Sequence, residues 1–266
     1  MSNQTFRELH SGPDILLLPN AWDAGSSRLI ESLGAKAIAT TSAGLAWSRG
    51  YPDGDTLPLE QLLAVVREIK RVIRVPLTID IEGGYSDDPT VVAQLVAGII
   101  DAGAVGINIE DGAGSPESLC VKIEAARQSA LKTGIDLFIN VRTDVYLRGL
   151  ATGDAAVDEV VRRSELYRAA GCDGIFVPGL TEERSIKAIA AAIDPLPLNI
   201  MLVPDLTSVE VLQAQGVRRL SAGAAIAQAA LATSSRLAKG FLDGSWHDMF
   251  SESSDYGSMN RLFLND

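Results

Sequence analysis

The sequence predicts one α/β domain whose eight parallel strands close into a (β/α)8 barrel, a TIM barrel, followed by a C-terminal helical tail. Three observations predict it. Strand-like apolar runs alternate with helix-like runs eight times at nearly even spacing and with short connections, which gives an all-parallel sheet, and eight units close as a barrel. Three of the strands end in charge: Asp80 and Glu82 in the first, Glu110 and Asp111 in the second, Arg142 and Asp144 in the third. A parallel barrel delivers such ends to one rim, where its active site lies. Finally, no GxGxxG follows the first strand, which argues against an open doubly wound sheet.

Residues 15–19 read as the first strand, and Asp23 as the N-cap of a helix running to Leu33, where Gly34 stops it. Residues 37–42 are the second strand. The following stretch to Asp55 holds Gly44, Gly50 and Gly54 with several turn residues and reads as a rim loop without regular structure. Leu59, Leu62, Leu63, Val66, Ile69 and Ile73 recur at helical spacing, and Pro76 opens the Asp80 strand. A helix over 88–102 ends at Gly103, where a C-cap glycine belongs. The Glu110 strand, a helix over 116–132, the Arg142 strand over 137–142 and a helix over 154–170 follow. Residues 174–178 form the sixth strand, and Thr181 caps a short helix with early acids. Residues 199–203 and 219–222 complete the strands, with a helix from about Thr207 between them, and a long helix spans 224–239.

The barrel domain is assigned to residues 1–240 and the tail to 241–266. Phe241, Trp246, Met249, Phe250, Leu262 and Phe263 make that tail too apolar to stay solvated, so it is expected to fold back or to pack on another subunit. The second option predicts a homo-oligomer, a dimer or a tetramer.

A chain of 266 residues fits one barrel domain and can bury a large core. With 23 basic and 34 acidic residues the formal charge is −11, and the basic residues are scattered, so no nucleic-acid footprint is expected. Two cysteines, Cys120 and Cys172, form no CxxC or Cys/His spacing, which disfavours a disulfide framework or a structural zinc site. The polar N-terminus and the lack of an 18-residue apolar run point to a cytoplasmic protein without a membrane partner. His10 and His247 lie outside every rim motif and are expected at the surface. Without a histidine at the rim, Ser/His/Asp nucleophilic catalysis drops out.

Asp80 and Glu82 at the end of an apolar strand are unfavourable unless a cation or hydrogen bonds compensate them. The bland alternative is a barrel-end salt bridge to Arg142 or Lys36, but converging acids without a cation repel one another.

Six stretches then carry a family resemblance. They are Thr41-Ser42-Ala43-Gly44, Gly50-Tyr51-Pro52-Asp53-Gly54, Asp80-Ile81-Glu82-Gly83-Gly84-Tyr85, Asn108-Ile109-Glu110-Asp111, Asn140-Val141-Arg142-Thr143-Asp144 and Phe176-Val177-Pro178-Gly179. In this order and at these strand ends the chain resembles the isocitrate lyase and phosphoenolpyruvate mutase superfamily. The resemblance implies a magnesium-dependent (or manganese-dependent) enzyme that makes or breaks a carbon–carbon or carbon–phosphorus bond of a small 2-oxo acid, such as an oxaloacetate-like dicarboxylate, through a metal-stabilised enolate. It implies Asp80 as the direct metal ligand, with Glu82, Glu110 and Asp53 holding the ion's waters. Magnesium's preference for hard oxygen donors and retained water suits that set. It further implies that Ser42 and the amides of Ala43 and Gly44 cradle a carboxylate or oxyanion, that Arg142 clamps a second negative group, and that Asn108 and Thr143 orient the substrate.

The chain departs from the lyases of that family after Glu110-Asp111. They carry a long gating loop with a Lys-Lys/Arg-Cys-Gly-His motif; here the segment from Asp111 to Cys120 is short and the motif is missing. Cys120 falls inside a predicted helix and reads as a packing residue. The proton donor then has to be Tyr85, Tyr51 or a metal-bound water. A protein that binds 2-oxo acids without turning them over is the alternative.

Overall fold

A computed structural model describes residues 5–251 and 253–264. Its elements in chain order are β1 (Leu16–Leu18), β2 (Asn20–Ala21), α1 (Ala24–Ser32), β3 (Ile38–Thr40), α2 (Ser42–Ser48), α3 (Leu59–Val72), β4 (Leu77–Asp80), α4 (Pro89–Asp101), β5 (Gly106–Glu110) and α5 (Pro116–Thr133). The second half holds β6 (Phe138–Arg142), α6 (Gly153–Ala170), β7 (Gly174–Phe176), α7 (Glu183–Ala192), β8 (Leu198–Met201), α8 (Val209–Ala214), β9 (Val217–Ser221), α9 (Ala225–Leu242) and α10 (Tyr256–Leu262).

Every strand pairing is parallel, and the sheet order is β1-β9-β8-β7-β6-β5-β4-β3-β2. The ninth strand is the first one split in two. Pro19 has no N–H to give to a ladder, so β1 pairs with β9 on one side of it and β2 with β3 on the other. The two ends of the sheet are thus one residue apart in sequence, and the barrel is nearly closed.

Helices cover most of the barrel's outside. On α3, Leu62, Val65, Val66 and Ile69 are fully buried and form part of one core with Leu77 and Ile79 of β4. Each such side chain contributes roughly 1.5–3 kcal/mol relative to exposure. Caps fall at most of the expected places. Asp23 and Ser26 form a reciprocal capping box, Asp88 and Ser115 accept the N–H groups of Thr90 and Ser118, and Gly134 and Gly171 end α5 and α6 with φ of 71° and 104°.

Three expectations need correction. The stretch after β3 is not all loop: Ser42–Ser48 forms α2, because Gly44 lets its first turn approach the chain. A Cβ there would lie 2.7 Å from Thr41 Cγ2 and 2.9 Å from Trp22 Cβ. Thr181 does not cap α7; the N-cap is Glu182, whose side chain takes the Ser185 hydroxyl instead of a backbone N–H. His10 is not at the surface but 4 % exposed. It ends a 3-10 turn (Glu8–His10) that closes the barrel's lower end, and its ring stacks on Phe138 with centroids 4.0 Å apart. Phe6 meets the same ring edge-on at 5.6 Å. Gly106 makes room for this plug, since a Cβ there would come within 2.7 Å of Phe6. His247 is exposed.

Beyond the barrel, α10 meets α1, with Arg28 Nε donating to Leu262 O at 2.7 Å. Phe241, Trp246 and Phe250 are exposed by 58 %, 53 % and 77 %. No helix among the described residues is long and apolar enough to cross a membrane.

Candidate active site

Parallel register stacks the inward-facing residues in layers. Asp80, Asn108 and Asn140 stand level on β4, β5 and β6, and Glu110 and Arg142 stand level one layer higher, at the rim. Sequence alternation puts every second residue of a strand on the same face, so the charges at these strand ends reach a single opening.

Asp80 is held from behind. Its backbone N–H donates to Thr40 Oγ1 at 2.9 Å, while its carboxylate accepts the Glu82 N–H at 3.2 Å and the amide of Ser42. Ser42, Ala43 and Gly44 form the first turn of α2, whose internal ladder starts only with Leu45 N–H on Thr41 O. The Ala43 and Gly44 N–H groups therefore have no intrahelical acceptor.

Glu82 leaves the strand in a left-handed conformation, φ 52°. One carboxylate oxygen takes the Gly54 N–H at 2.8 Å together with the Asp55 N–H, and the other takes the Tyr85 hydroxyl at 2.9 Å. Asp55 returns the contact by accepting the Tyr85 N–H at 3.0 Å. The two rim loops are thus latched, and exposed Asp53 is carried beside Asp80. Burial pushes the Tyr85 hydroxyl above its usual range, with Glu82 adding to it, so Tyr85 is a firm donor to Glu82. Tyr51 takes a hydrogen bond from Gln61 Nε2 at 3.0 Å.

Arg142 is occupied on two sides. Nη1 lies 2.7 Å from Glu110 Oε2, while Nε and Nη2 fork onto Asp144 at 2.6 and 3.0 Å. Burial opposes its charge, but Asp144 and Glu110 together hold it above its usual value. Burial pushes Glu110 up to about 8 despite Arg142. Thr143 is fully buried, and its hydroxyl meets no hydrogen-bond partner among the described residues.

Sequence reasoning did not find the support beneath Arg142. Buried Asp111 accepts the Asp144 N–H at 2.9 Å on one oxygen and Arg163 Nη1 and the Tyr167 hydroxyl, each at 2.7 Å, on the other. Nothing in the spacing of residues 111, 144, 163 and 167 announces this; only the packing of α6 against β5 and β6 creates it. Cys120 lies within α5, partly buried against the core, and burial raises its thiol, in keeping with packing. The short 111–115 segment borders a cleft of about 640 Å³ that runs from Glu110 to Lys122.

A family model, phosphoenolpyruvate phosphomutase, matches residues 6–242. The chain belongs to the phosphoenolpyruvate mutase and isocitrate lyase superfamily. A protein of uncharacterised function from Mycobacterium tuberculosis is 34 % identical over 245 residues, covering 90 % of each chain. A solved structure from Burkholderia cenocepacia, provisionally called a phosphonomutase, is 39 % identical with a TM-score of 0.83, covering 88 % of this chain and 97 % of that one. Oxaloacetate acetylhydrolase in complex with its product oxalate is 25 % identical with a TM-score of 0.85, covering 96 % and 91 %. The superfamily comprises magnesium-dependent lyases and hydrolases of 2-oxo acids.

The residues present fit such an ion loosely. Among the described residues no three acidic, histidine or cysteine side chains close into a metal cage, because Glu82 and Glu110 are drawn aside by Tyr85, the 54–55 amides and Arg142. Yet the donors are all oxygen, and burial raises the carboxyls of Asp80, Glu82 and Glu110 alike, which marks acids short of counter-charge. A hard cation that keeps much of its water suits that arrangement.

Proposed function

We propose that this superfamily member is a magnesium-dependent lyase or hydrolase that cleaves a carbon–carbon bond of a small, oxaloacetate-like 2-oxo acid. The observation that carries the reading is the convergence of Asp80, Glu82 and Glu110 on one rim beside the free amides of Ala43 and Gly44. Magnesium bound there supplies the positive charge that stabilises an enolate. The chain's own groups do the rest: the α2 amides and Ser42 bind one carboxylate, Arg142 faces a second, and Asp53, with Glu82 and Glu110, would hold the ion's waters. Asp144 and Glu110 orient Arg142, and Asp80 is the ligand.

A second reading has its own observation. The segment after Asp111 is short, and the Tyr85 hydroxyl has its proton committed to Glu82, which favours a binder without turnover. Thermal unfolding with magnesium and oxaloacetate, followed by product analysis, separates the two. Stabilisation with pyruvate and carbon dioxide, or oxalate and acetate, as products supports the enzyme; stabilisation without product supports the binder; no magnesium-dependent shift overturns both.

We also propose that the protein works as an oligomer of identical chains. Over 18 residues of α9 only Ala227 is buried, and Leu231 and Phe241 are 53 % and 58 % exposed. The barrel wall that α9 leaves uncovered presents Leu17 and Leu202, 51 % and 47 % exposed, beside a shallow apolar hollow of about 190 Å³. Two bare apolar faces on one chain match a second copy.

A further inference from the structure

The inner face of β9 carries a cation that the rim chemistry does not use. Arg219 is fully buried, level with Asn199 of β8 and Leu16 of β1. It reaches across the lumen to donate from Nη2 to Asn108 Oδ1 at 3.1 Å. Its Nε and Nη1 meet no acceptor among the described residues. A buried guanidinium with one hydrogen-bond partner, and the Asp80 carboxylate only as a nearby charge, is unfavourable, and an apolar side chain of similar volume would suit the fold as well or better.

The partner explains what the cation does. Asn108 stands level with Asp80 and two residues below Glu110 on the same strand. Its Oδ1 accepts two donors at once, Asn140 Nδ2 at 2.9 Å and Arg219 Nη2. By itself a pair of facing asparagines has two equivalent states, because each carboxamide can turn over and exchange donor for acceptor with the other. A guanidinium only donates, so it tolerates one of the two. In that state the Asn108 oxygen is committed twice, and the hydrogen bonds Asn108 makes through its side chain among the described residues are both on that oxygen, none from its NH2.

We propose that Arg219 is a positioning residue: as a donor-only partner it removes the degeneracy of the Asn108–Asn140 pair and holds the Asn108 NH2 as a donor to an oxygen of the bound 2-oxo acid. This rests on the functional reading above. It assigns Arg219 a role in ligand affinity although it touches no ligand.

The test is the oxalate affinity of the full chain at saturating magnesium, by calorimetry, with thermal unfolding as the check on folding. Asn108→Ala is expected to weaken oxalate about tenfold by losing the donor. Arg219→Met is expected to weaken it by a similar factor, and the double variant no further than Asn108→Ala alone, because Arg219 acts through Asn108. Losses that multiply in the double variant, or an unchanged affinity in folded Arg219→Met, overturn the proposal. Asn140→Ala decides it should Arg219→Met not fold: affinity kept within threefold supports Arg219 as the group that sets the amide, and a tenfold loss overturns it. Wild-type protein that takes up no oxalate overturns the functional reading and this proposal with it, whereas wild-type binding insensitive to Arg219 overturns this proposal alone.

Discussion

Asp80 shows how one side chain gathers its surroundings: a strand end positions it, Thr40 fixes its backbone, and the Glu82 and Ser42 amides hold its carboxylate. Asp80→Ala is expected to remove all magnesium-dependent stabilisation by 2-oxo acids while leaving the unfolding temperature without ligand within a few degrees; retained stabilisation would take Asp80 out of the site. His10 makes the complementary case for a buried neutral group. Burial first, then the charge of Arg219, lowers it to about 3, although its Nδ1 hydrogen bond to Phe6 O resists. The unfolded chain therefore takes up a proton below about pH 6.5 that the fold refuses. Stability is intact above that pH and falls by about 1.4 kcal/mol per pH unit towards pH 3. Denaturant titrations at pH 7 and pH 4.5 should show a smaller acid loss in His10→Phe than in the wild type; equal losses would mean that His10 is protonated in the fold.

Among the elements, the α6–β5–β6 contact has most bearing on the site. Asp111 carries Arg163 and Tyr167 of α6 on one oxygen and the Asp144 N–H on the other, and Asp144 in turn grips Arg142. Asp111→Asn removes the buried one of the two carboxylates that pair with the Arg163 guanidinium, for which a loss of about 3–5 kcal/mol is expected. Urea unfolding measures it, and a loss under 1 kcal/mol would show that Glu159, which also pairs with Arg163 at 2.7 Å, suffices. On α5, Cys120→Ser is expected to leave oxo-acid binding or turnover unchanged within twofold; a collapse would mean that the thiol serves the site. The α2 helix marks the limit of pattern reading at this scale. Its glycine and turn residues pointed to a loop, but Gly44 is there for the close approach of Thr41 and Trp22, which local composition does not reveal.

For the molecule as a whole, the proposed oligomer rests on α9 and the uncovered barrel wall. Leu231→Glu, on the exposed face of α9, is expected to shift the protein to a monomer in sedimentation experiments while the barrel keeps its folded circular dichroism signal. A wild-type monomer at micromolar concentration would sink the oligomer reading. The acidic surface, −11 over the whole chain, adds repulsion between copies, so any association should strengthen with salt.

What the sequence determined by itself was the architecture and the rim. Strand–helix alternation is local and periodic, so it survives in the one-dimensional record, and the charges that close three of the strands marked where Asp80, Glu110 and Arg142 would meet. What only the tertiary structure decided was everything that depends on residues distant in the chain. Pro19 splits a strand in a way visible only once both its neighbours are placed. His10 is buried because Gly106 and Phe138 leave it a socket, and Glu82 and Glu110 are drawn aside by Gly54, Asp55, Tyr85 and Arg142, contacts that the motifs contain in part but do not pair. Arg219 reads in the sequence as one more charge on a short last strand; it acquires its meaning from Asn108, 111 residues away, because closing a barrel brings together side chains that no local pattern connects.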